Sequence, residues 1–150
     1  MEAITKNRLS EEKIRELVKI HFGEEMEVTS VRELTGGFFA AVYLIGVTGE
    51  PGQMVLKVGV IPGTPLLTYE RDVMPTEVAC LKMLRIKTAV PVPEIYACDF
   101  SKTHIKSNYF FMEVMEGSVL SEVSKKLSDK DTEQIRRELA HILAQMHSVK

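Results

Sequence analysis

Three features of the sequence could together hold a phosphate-bearing ligand. The glycine pair Gly36 and Gly37 separates two strand-like segments, Lys57 is a lone cation in the apolar run VLKV, and Glu77 lies in the helical segment that follows. Glycines let a backbone approach phosphate oxygens, a lysine supplies a fixed positive charge, and a carboxylate can hold that lysine in place. In this order, the three features predict a kinase-like nucleotide site with a tertiary Lys57–Glu77 ion pair.

Each feature has an ordinary interpretation when it is taken alone. A glycine pair between strands is most often a hairpin turn, a strand lysine is most often solvated, and a helical glutamate usually lies at the surface. The order in which they occur along the chain is what favours the nucleotide site over these readings.

The surrounding pattern predicts the elements that would position these residues. Ser10 and Gly23 are suitable caps for a first helix, and short glycine-containing connections indicate an antiparallel meander of three strands. The predicted fold class is α+β, a protein-kinase-like N-lobe whose five-stranded antiparallel sheet carries a packed helix, with one helix before it and two after it. Predicted helices span residues 10–22, 75–86, 119–127 and 132–148, and predicted strands span 27–34, 40–48, 54–60, 94–99 and 109–115.

The composition is that of an ordinary globular protein. The chain has 150 residues, 45% of them hydrophobic and 27% charged, with a net charge of −2. This balance gives no electrostatic reason to expect nucleic acid or a membrane as partner, and no apolar run is long enough to span a bilayer. We expect a cytoplasmic protein without a signal peptide, in which Cys80 and Cys98 are reduced and packed as small hydrophobic residues; a disulfide between them stays open.

The chain resembles the aminoglycoside phosphotransferase and choline kinase-like branch of the protein-kinase superfamily over roughly residues 14–149. The segments at 111–117 and 143–147 are the more specific ones, because the glycine loop and the lysine are shared with kinases generally. The matching segments are LTGGFFAAVY at 34–43, VLK at 55–57, TE at 76–77, VPEIY at 92–96, FMEVMEG at 111–117 and LAQMH at 143–147.

The resemblance implies an ATP site built from the nucleotide loop and the ion pair. Lys57 and Glu77 would form the phosphate-positioning pair, and the loop would contact the phosphates. Its tip is apolar where many relatives have a polar residue, so that it could reach phosphate through its backbone only. The residues implied for this part are Gly36, Gly37, Phe38, Phe39 and Val42.

The resemblance also implies a hinge that recognises adenine with its backbone, at Met112, Glu113, Val114 and Met115. Met112 would lie at the back of the pocket, the carbonyl of Glu113 would accept from the adenine amino group, and the N–H of Met115 would donate to a ring nitrogen. Core packing is the ordinary explanation for both methionines, and both interpretations can hold together. We expect the Glu113 and Glu116 side chains to face water.

The catalytic groups of the family lie in a second, helical lobe whose motifs are missing from this sequence. That lobe carries the general base and the Mg²⁺ ligands, so Mg²⁺ is expected for the whole enzyme and no metal ligand is expected here. We therefore expect residues 1–115 to form a nucleotide-binding N-lobe and 116–150 a linker with the first C-lobe helices. The whole would be an ATP-dependent O-phosphotransferase acting on a small-molecule hydroxyl; this chain alone would be inactive.

Two other interpretations remain: a stand-alone, non-catalytic nucleotide-binding or regulatory module, and an unrelated α+β domain. The last predicted helix has an apolar stripe that would normally pack on a second lobe. Left uncovered, this stripe predicts that the helix is disordered or pairs with a second copy of the chain. The stripe consists of Ile135, Leu139, Ile142, Leu143 and Met146.

Overall fold

The chain has the α+β fold that the sequence predicts, and the computed structural model describes residues 6–35, 39–67, 70 and 72–149 of it. The helices are α1 (Glu11–Phe22), α2 (Val73–Lys87), α3 (Leu120–Val123) and α4 (Asp129–Ser148), with a 3-10 helix at Ser124–Lys126 between the last two. The strands are β1 (Val28–Leu34), β2 (Ala41–Val47), β3 (Gln53–Val58), β4 (Ile95–Asp99) and β5 (Tyr109–Met112).

The five strands form one antiparallel sheet in the order β1-β2-β3-β5-β4. The predicted meander of the first three strands is confirmed, and β5 inserts between β3 and β4. The tight connection from β2 to β3 uses Gly49 and Gly52, whose φ angles are 70° and 76°. Side chains at these left-handed positions would be strained, which is why glycine occupies them.

Helix α1 covers one face of the sheet. The Ser10 side chain accepts a hydrogen bond from Lys13 N, and Gly23 N donates to Lys19 O, so both ends are capped as predicted. The helix buries Ile14, Leu17 and Val18, all at 0% exposure. Burying each such side chain contributes about 1.5–3 kcal/mol. The strand residues in this core are Val28, Ala41, Tyr43, Ile45, Val47, Met54, Leu56, Val58, Tyr109 and Phe111.

A polar network also connects α1 to this face. His21 Nε2 lies 2.8 Å from the Tyr109 hydroxyl, which donates to Asp99 Oδ2 at 3.3 Å. His104 Nε2 lies 3.9 Å from the same Asp99 oxygen. The hydroxyl of a fully buried tyrosine is therefore satisfied by two partners.

Helix α2 packs on the opposite face. Met74 and Val78 form a second buried cluster with Phe110 of β5. The helix begins at Val73, two residues before the predicted start, and Pro75 is tolerated because it lies in the first turn. The expectation that both thiols are packed is wrong for Cys80, which lies exposed on α2; Cys98 is half-buried, and both are free.

Other predicted boundaries shift as well, the largest of them after the fourth strand. Strand β5 ends at Met112 rather than at residue 115, because the chain leaves the sheet there. The helix predicted over 119–127 divides into α3 and the 3-10 helix. Helix α4 begins at Asp129, since Ser128 and Asp131 form a capping box that ends the loop earlier than predicted.

Helix α4 buries no residue. Of its apolar stripe, Leu139 is 49% exposed and Leu143 is 43% exposed. The helix approaches the rest of the chain where Gln145 Oε1 accepts a hydrogen bond from Ala89 N. The sheet therefore does not bury this stripe, and the predicted pairing with a second copy stays a prediction.

Candidate nucleotide site

Lys57 and Glu77 form the ion pair that the sequence predicts. Lys57 Nζ lies 2.7 Å from both carboxylate oxygens of Glu77. Both side chains are mostly buried, with 24% and 28% exposure. A carboxylate that engages the ammonium with both oxygens fixes the position of the charge while leaving the ammonium accessible from one side.

The strand register explains how the lysine comes to face this helix. Val42 of β2 and Phe110 of β5 are the neighbours of Lys57 on the adjacent strands, so the three side chains share one face of the sheet. Lys57 Nζ lies 5.9 Å from the centre of the Phe110 ring, within the range of a cation–π contact. Phe110 also anchors α2 through Val78, the residue after Glu77, and thereby brings the carboxylate over β3.

The tip of the predicted nucleotide loop, Gly36, Gly37 and Phe38, lies outside the described residues. Phe39 is described and half-buried, and it lines a pocket of about 260 Å³ with Gly59 and Met74. This pocket lies at the end of β3, and neither the ion pair nor the predicted hinge lines it.

The predicted hinge begins where β5 leaves the sheet. Glu113 N donates to Glu94 O at 2.8 Å, the last backbone hydrogen bond along this edge. In the described part of the chain, the Glu113 carbonyl and the Met115 N–H have no hydrogen-bond partner. Met112 and Val114 are half-buried, and the Met115 side chain is 50% exposed. The two backbone groups assigned to adenine are thus free to bind a ligand.

The sequence led us to expect that the Glu113 side chain faces water, but its carboxylate has two protein partners. Its Oε2 accepts from Glu94 N at 3.0 Å and lies 3.7 Å from Arg85 Nη1. Arg85 Nη2 also donates to Glu94 Oε2 at 2.9 Å. The expectation was wrong because α2 brings a guanidinium to the strand ends, which draws both carboxylates towards it.

Sequence reasoning missed two members of this region. Phe110 could have been found, because strand alternation places it on the same face as Met112. Arg85 could not, because its contacts depend on how the last turn of α2 meets β4 and β5.

The arrangement can bind an anion and the edge of a planar base. Lys57 offers a positive charge held by Glu77, and the hinge offers one acceptor and one donor. In the described ranges, no three His, Cys, Asp or Glu side chains cluster in a way that could hold a metal ion. The ion pair and the two unpartnered backbone groups are suited to binding and positioning a ligand.

Residues 30–150 match the model of the phosphotransferase enzyme family. The match covers most of the chain and includes the sheet and the ion pair. Members of this family are enzymes that transfer phosphoryl groups. The chain belongs to this family.

A solved structure shares the fold: a candidate aminoglycoside phosphotransferase from Ralstonia eutropha JMP134, with a TM-score of 0.55 and 21% identity. The alignment covers 75% of this chain and 30% of that protein. No curated protein matches the chain significantly. The chain therefore spans about a third of the length of its solved relative.

Among the described residues, no helix combines the length and the apolar character that crossing a bilayer requires.

Proposed function

We propose that this chain is the ATP-binding part of an ATP-dependent small-molecule O-phosphotransferase resembling the aminoglycoside phosphotransferases. The observation that carries the proposal is the Lys57–Glu77 ion pair, with both carboxylate oxygens 2.7 Å from the ammonium. Such a pair positions nucleotide phosphates in kinase-like enzymes. The family match supports the phosphoryl-transfer class.

The residues present fit ATP at two separate places. Lys57 would bind phosphate oxygens, and the family resemblance assigns the loop at 36–39 to the phosphates as well. At the hinge, the unpartnered Glu113 carbonyl and Met115 N–H would bind the adenine edge. Val42 and Met112 offer half-buried apolar surface on the face that carries Lys57. ATP supplies the phosphoryl group; the protein residues described here bind and orient it.

We assign the general base, the Mg²⁺ ligands and the acceptor site to a second lobe outside this chain. The 30% coverage of the solved relative leaves room for such a lobe. In this proposal residues 1–115 are the nucleotide-binding lobe, residues 116–150 lead into the second lobe, and a small-molecule hydroxyl is the acceptor. The two free cysteines agree with a reducing compartment such as the cytoplasm.

The exposed apolar stripe of α4 favours this proposal over a stand-alone nucleotide-binding module. Leu139, Leu143 and Met146 would leave a contiguous apolar surface in water, which a self-sufficient module would cover. A second lobe would cover it in the whole enzyme, and a second copy of the chain would cover it in the isolated fragment.

The Lys57→Ala variant tests the proposal, with Lys125→Ala as the matched control because Lys125 is an exposed lysine beyond the sheet. We expect ATP to bind the unmodified chain and the control equally. In Lys57→Ala, the affinity for ATP should fall severalfold, to below that for adenosine, because the Glu77 carboxylate would face the phosphates without the lysine that offsets their charge. The affinity for adenosine should stay unchanged. Equal ATP affinity in all three proteins, or no binding of ATP or adenosine to the unmodified chain, would contradict the proposal.

A further inference from the structure

Arg85, in the last turn of α2, contacts three acceptors at the edge of the predicted hinge. Its Nη2 donates to Glu94 Oε2 at 2.9 Å, and its Nη1 lies 3.4 Å from the Val92 carbonyl oxygen and 3.7 Å from Glu113 Oε2. One guanidinium therefore contacts the segment entering β4 and the segment leaving β5. A lysine could not reach all three at once, because its charge is a single point.

These contacts hold Glu113, the residue whose backbone carbonyl would bind adenine in the proposed function. The Glu113 carboxylate accepts from Glu94 N at 3.0 Å, and Glu113 N donates to Glu94 O at 2.8 Å. Residue 113 is thus held through its side chain and through its N–H, while its carbonyl has no partner in the described chain. Arg85 attracts the carboxylate oxygen that makes the first of these bonds.

The same helix holds the other end of the site. Glu77 lies eight residues before Arg85 on α2, about 12 Å along the helix axis, and it binds Lys57. Near Glu77 the helix is fixed to the sheet by the cluster of Met74, Val78 and Phe110. Helix α2 therefore contacts β3 near its first turn and the strand ends at the hinge near its last turn.

We propose that Arg85 is a positioning residue, which fixes the hinge backbone relative to Lys57 and thereby sets the affinity for the base of the nucleotide. The inference rests on the proposed function, and extends it to a residue that does not touch the nucleotide. Helix α2 thus connects the two halves of the site: Glu77 holds the Lys57 ammonium that would bind phosphate, and Arg85 holds Glu113, whose carbonyl would bind adenine.

The exposure of the three charged side chains limits how much Arg85 can contribute to adenosine affinity. The side chains of Arg85, Glu94 and Glu113 are 48%, 51% and 41% exposed, so water and salt screen each pair. Removing the guanidinium should leave the fold intact and weaken adenosine binding by about threefold to fivefold. This loss of affinity should be smaller at high salt.

The test compares Arg85→Gln and Arg85→Lys with Arg136→Gln, which removes an exposed arginine from α4. The first measurement needs no ligand: amide hydrogen exchange of the 150-residue chain by NMR. In Arg85→Gln we expect faster exchange at Glu94 and Glu113, with unchanged exchange at Leu56 and Val78. A role in stability alone would instead accelerate exchange across the sheet and α2.

The second measurement is adenosine titration. We expect Arg85→Gln to bind adenosine about threefold to fivefold more weakly than the unmodified chain, Arg85→Lys to lie between them, and Arg136→Gln to match the unmodified chain. If the unmodified chain binds adenosine and Arg85→Gln binds it equally well, the inference fails while the proposed function stands. If the unmodified chain binds no adenosine, the proposed function fails, and the nucleotide role of Arg85 fails with it.

Discussion

His21 and Tyr109 are joined side chain to side chain, with Nε2 of the histidine 2.8 Å from the hydroxyl of the buried tyrosine. Burial is the main influence that lowers the His21 pKa below its ordinary value; Asp99 opposes the shift and His104 adds to it. Burial also raises the pKa of Tyr109 well above its ordinary value, so the tyrosine stays protonated. Because the hydroxyl donates to Asp99, His21 Nε2 donates to the hydroxyl oxygen, and it is burial that favours the neutral form of the ring.

Acid should weaken the fold by placing a charge on the half-buried ring of His21. Because the folded-state pKa of His21 lies below its unfolded value near 6.5, its contribution is complete above that pH and is lost as the pH falls through the folded pKa. For Asp99, burial raises the pKa, but the hydrogen bonds from Ser101 and Tyr109 outweigh it, so the pKa is lowered. This second contribution is lost at more acidic pH, below its ordinary value of 3.8.

We expect the thermal midpoint to fall between about pH 7.5 and pH 5 by more in the unmodified chain than in His21→Gln. Glutamine can still bond the hydroxyl and does not titrate. His141→Gln is the control, because His141 is exposed on α4. Parallel pH profiles for the unmodified chain and His21→Gln would show that His21 does not couple protonation to folding.

The parts of the fold that local sequence determines were predictable. Ser10 and Gly23 fix the ends of α1, and alternation within the strands places Lys57 and Leu56 on opposite faces. The Lys57–Glu77 contact was predictable from the order of the glycine pair, the strand lysine and the helical glutamate along the chain. The contact between Arg85 and the Glu113 carboxylate was not predictable, since no local pattern shows which helix end meets which strand end.

Phosphoryl transfer by this chain alone should be undetectable. In the proposed function Lys57 and Glu77 position phosphates, whereas the general base and the Mg²⁺ ligands belong to a second lobe, and losing such groups lowers rates by orders of magnitude. The assay is ATP turnover with aminoglycosides, amino alcohols or sugars as acceptors. Turnover that disappears in Lys57→Ala would contradict this expectation and would place a complete catalytic centre within these 150 residues.

The isolated chain should associate through α4. The exposed stripe around Leu139 and Leu143 has no cover within the described structure, and its burial in a dimer would remove apolar area from water. Light scattering should show a mass above one chain, and Leu139→Glu with Leu143→Glu should restore the monomer. Ala144→Glu, on the opposite side of the helix, is the control and should still associate. A monomer whose α4 is ordered would contradict the prediction.

Nucleotide selectivity should follow from the hinge. The Glu113 carbonyl and the Met115 N–H, both without partners in the described chain, match the donor and acceptor on the edge of adenine. Two such hydrogen bonds and a half-open apolar surface give about 4–6 kcal/mol, a Kd of roughly 0.1–1 mM. With Lys57 as the main phosphate contact, adenosine should bind nearly as well as ATP, and Mg²⁺ should change little.

Guanosine should bind more weakly than adenosine, because its carbonyl oxygen would face the Glu113 carbonyl and leave two acceptors opposed. Chemical-shift titrations with adenosine, ATP and guanosine measure this directly. Adenosine should perturb the amides of residues 113–115, whereas ATP should in addition perturb those around Lys57. Equal affinity for adenosine and guanosine, or perturbations that leave residues 113–115 unchanged, would mean that another surface binds the base. Weaker guanosine binding is specific to the hinge, because two carbonyl oxygens oppose each other only when the edge of guanine meets the backbone of Glu113.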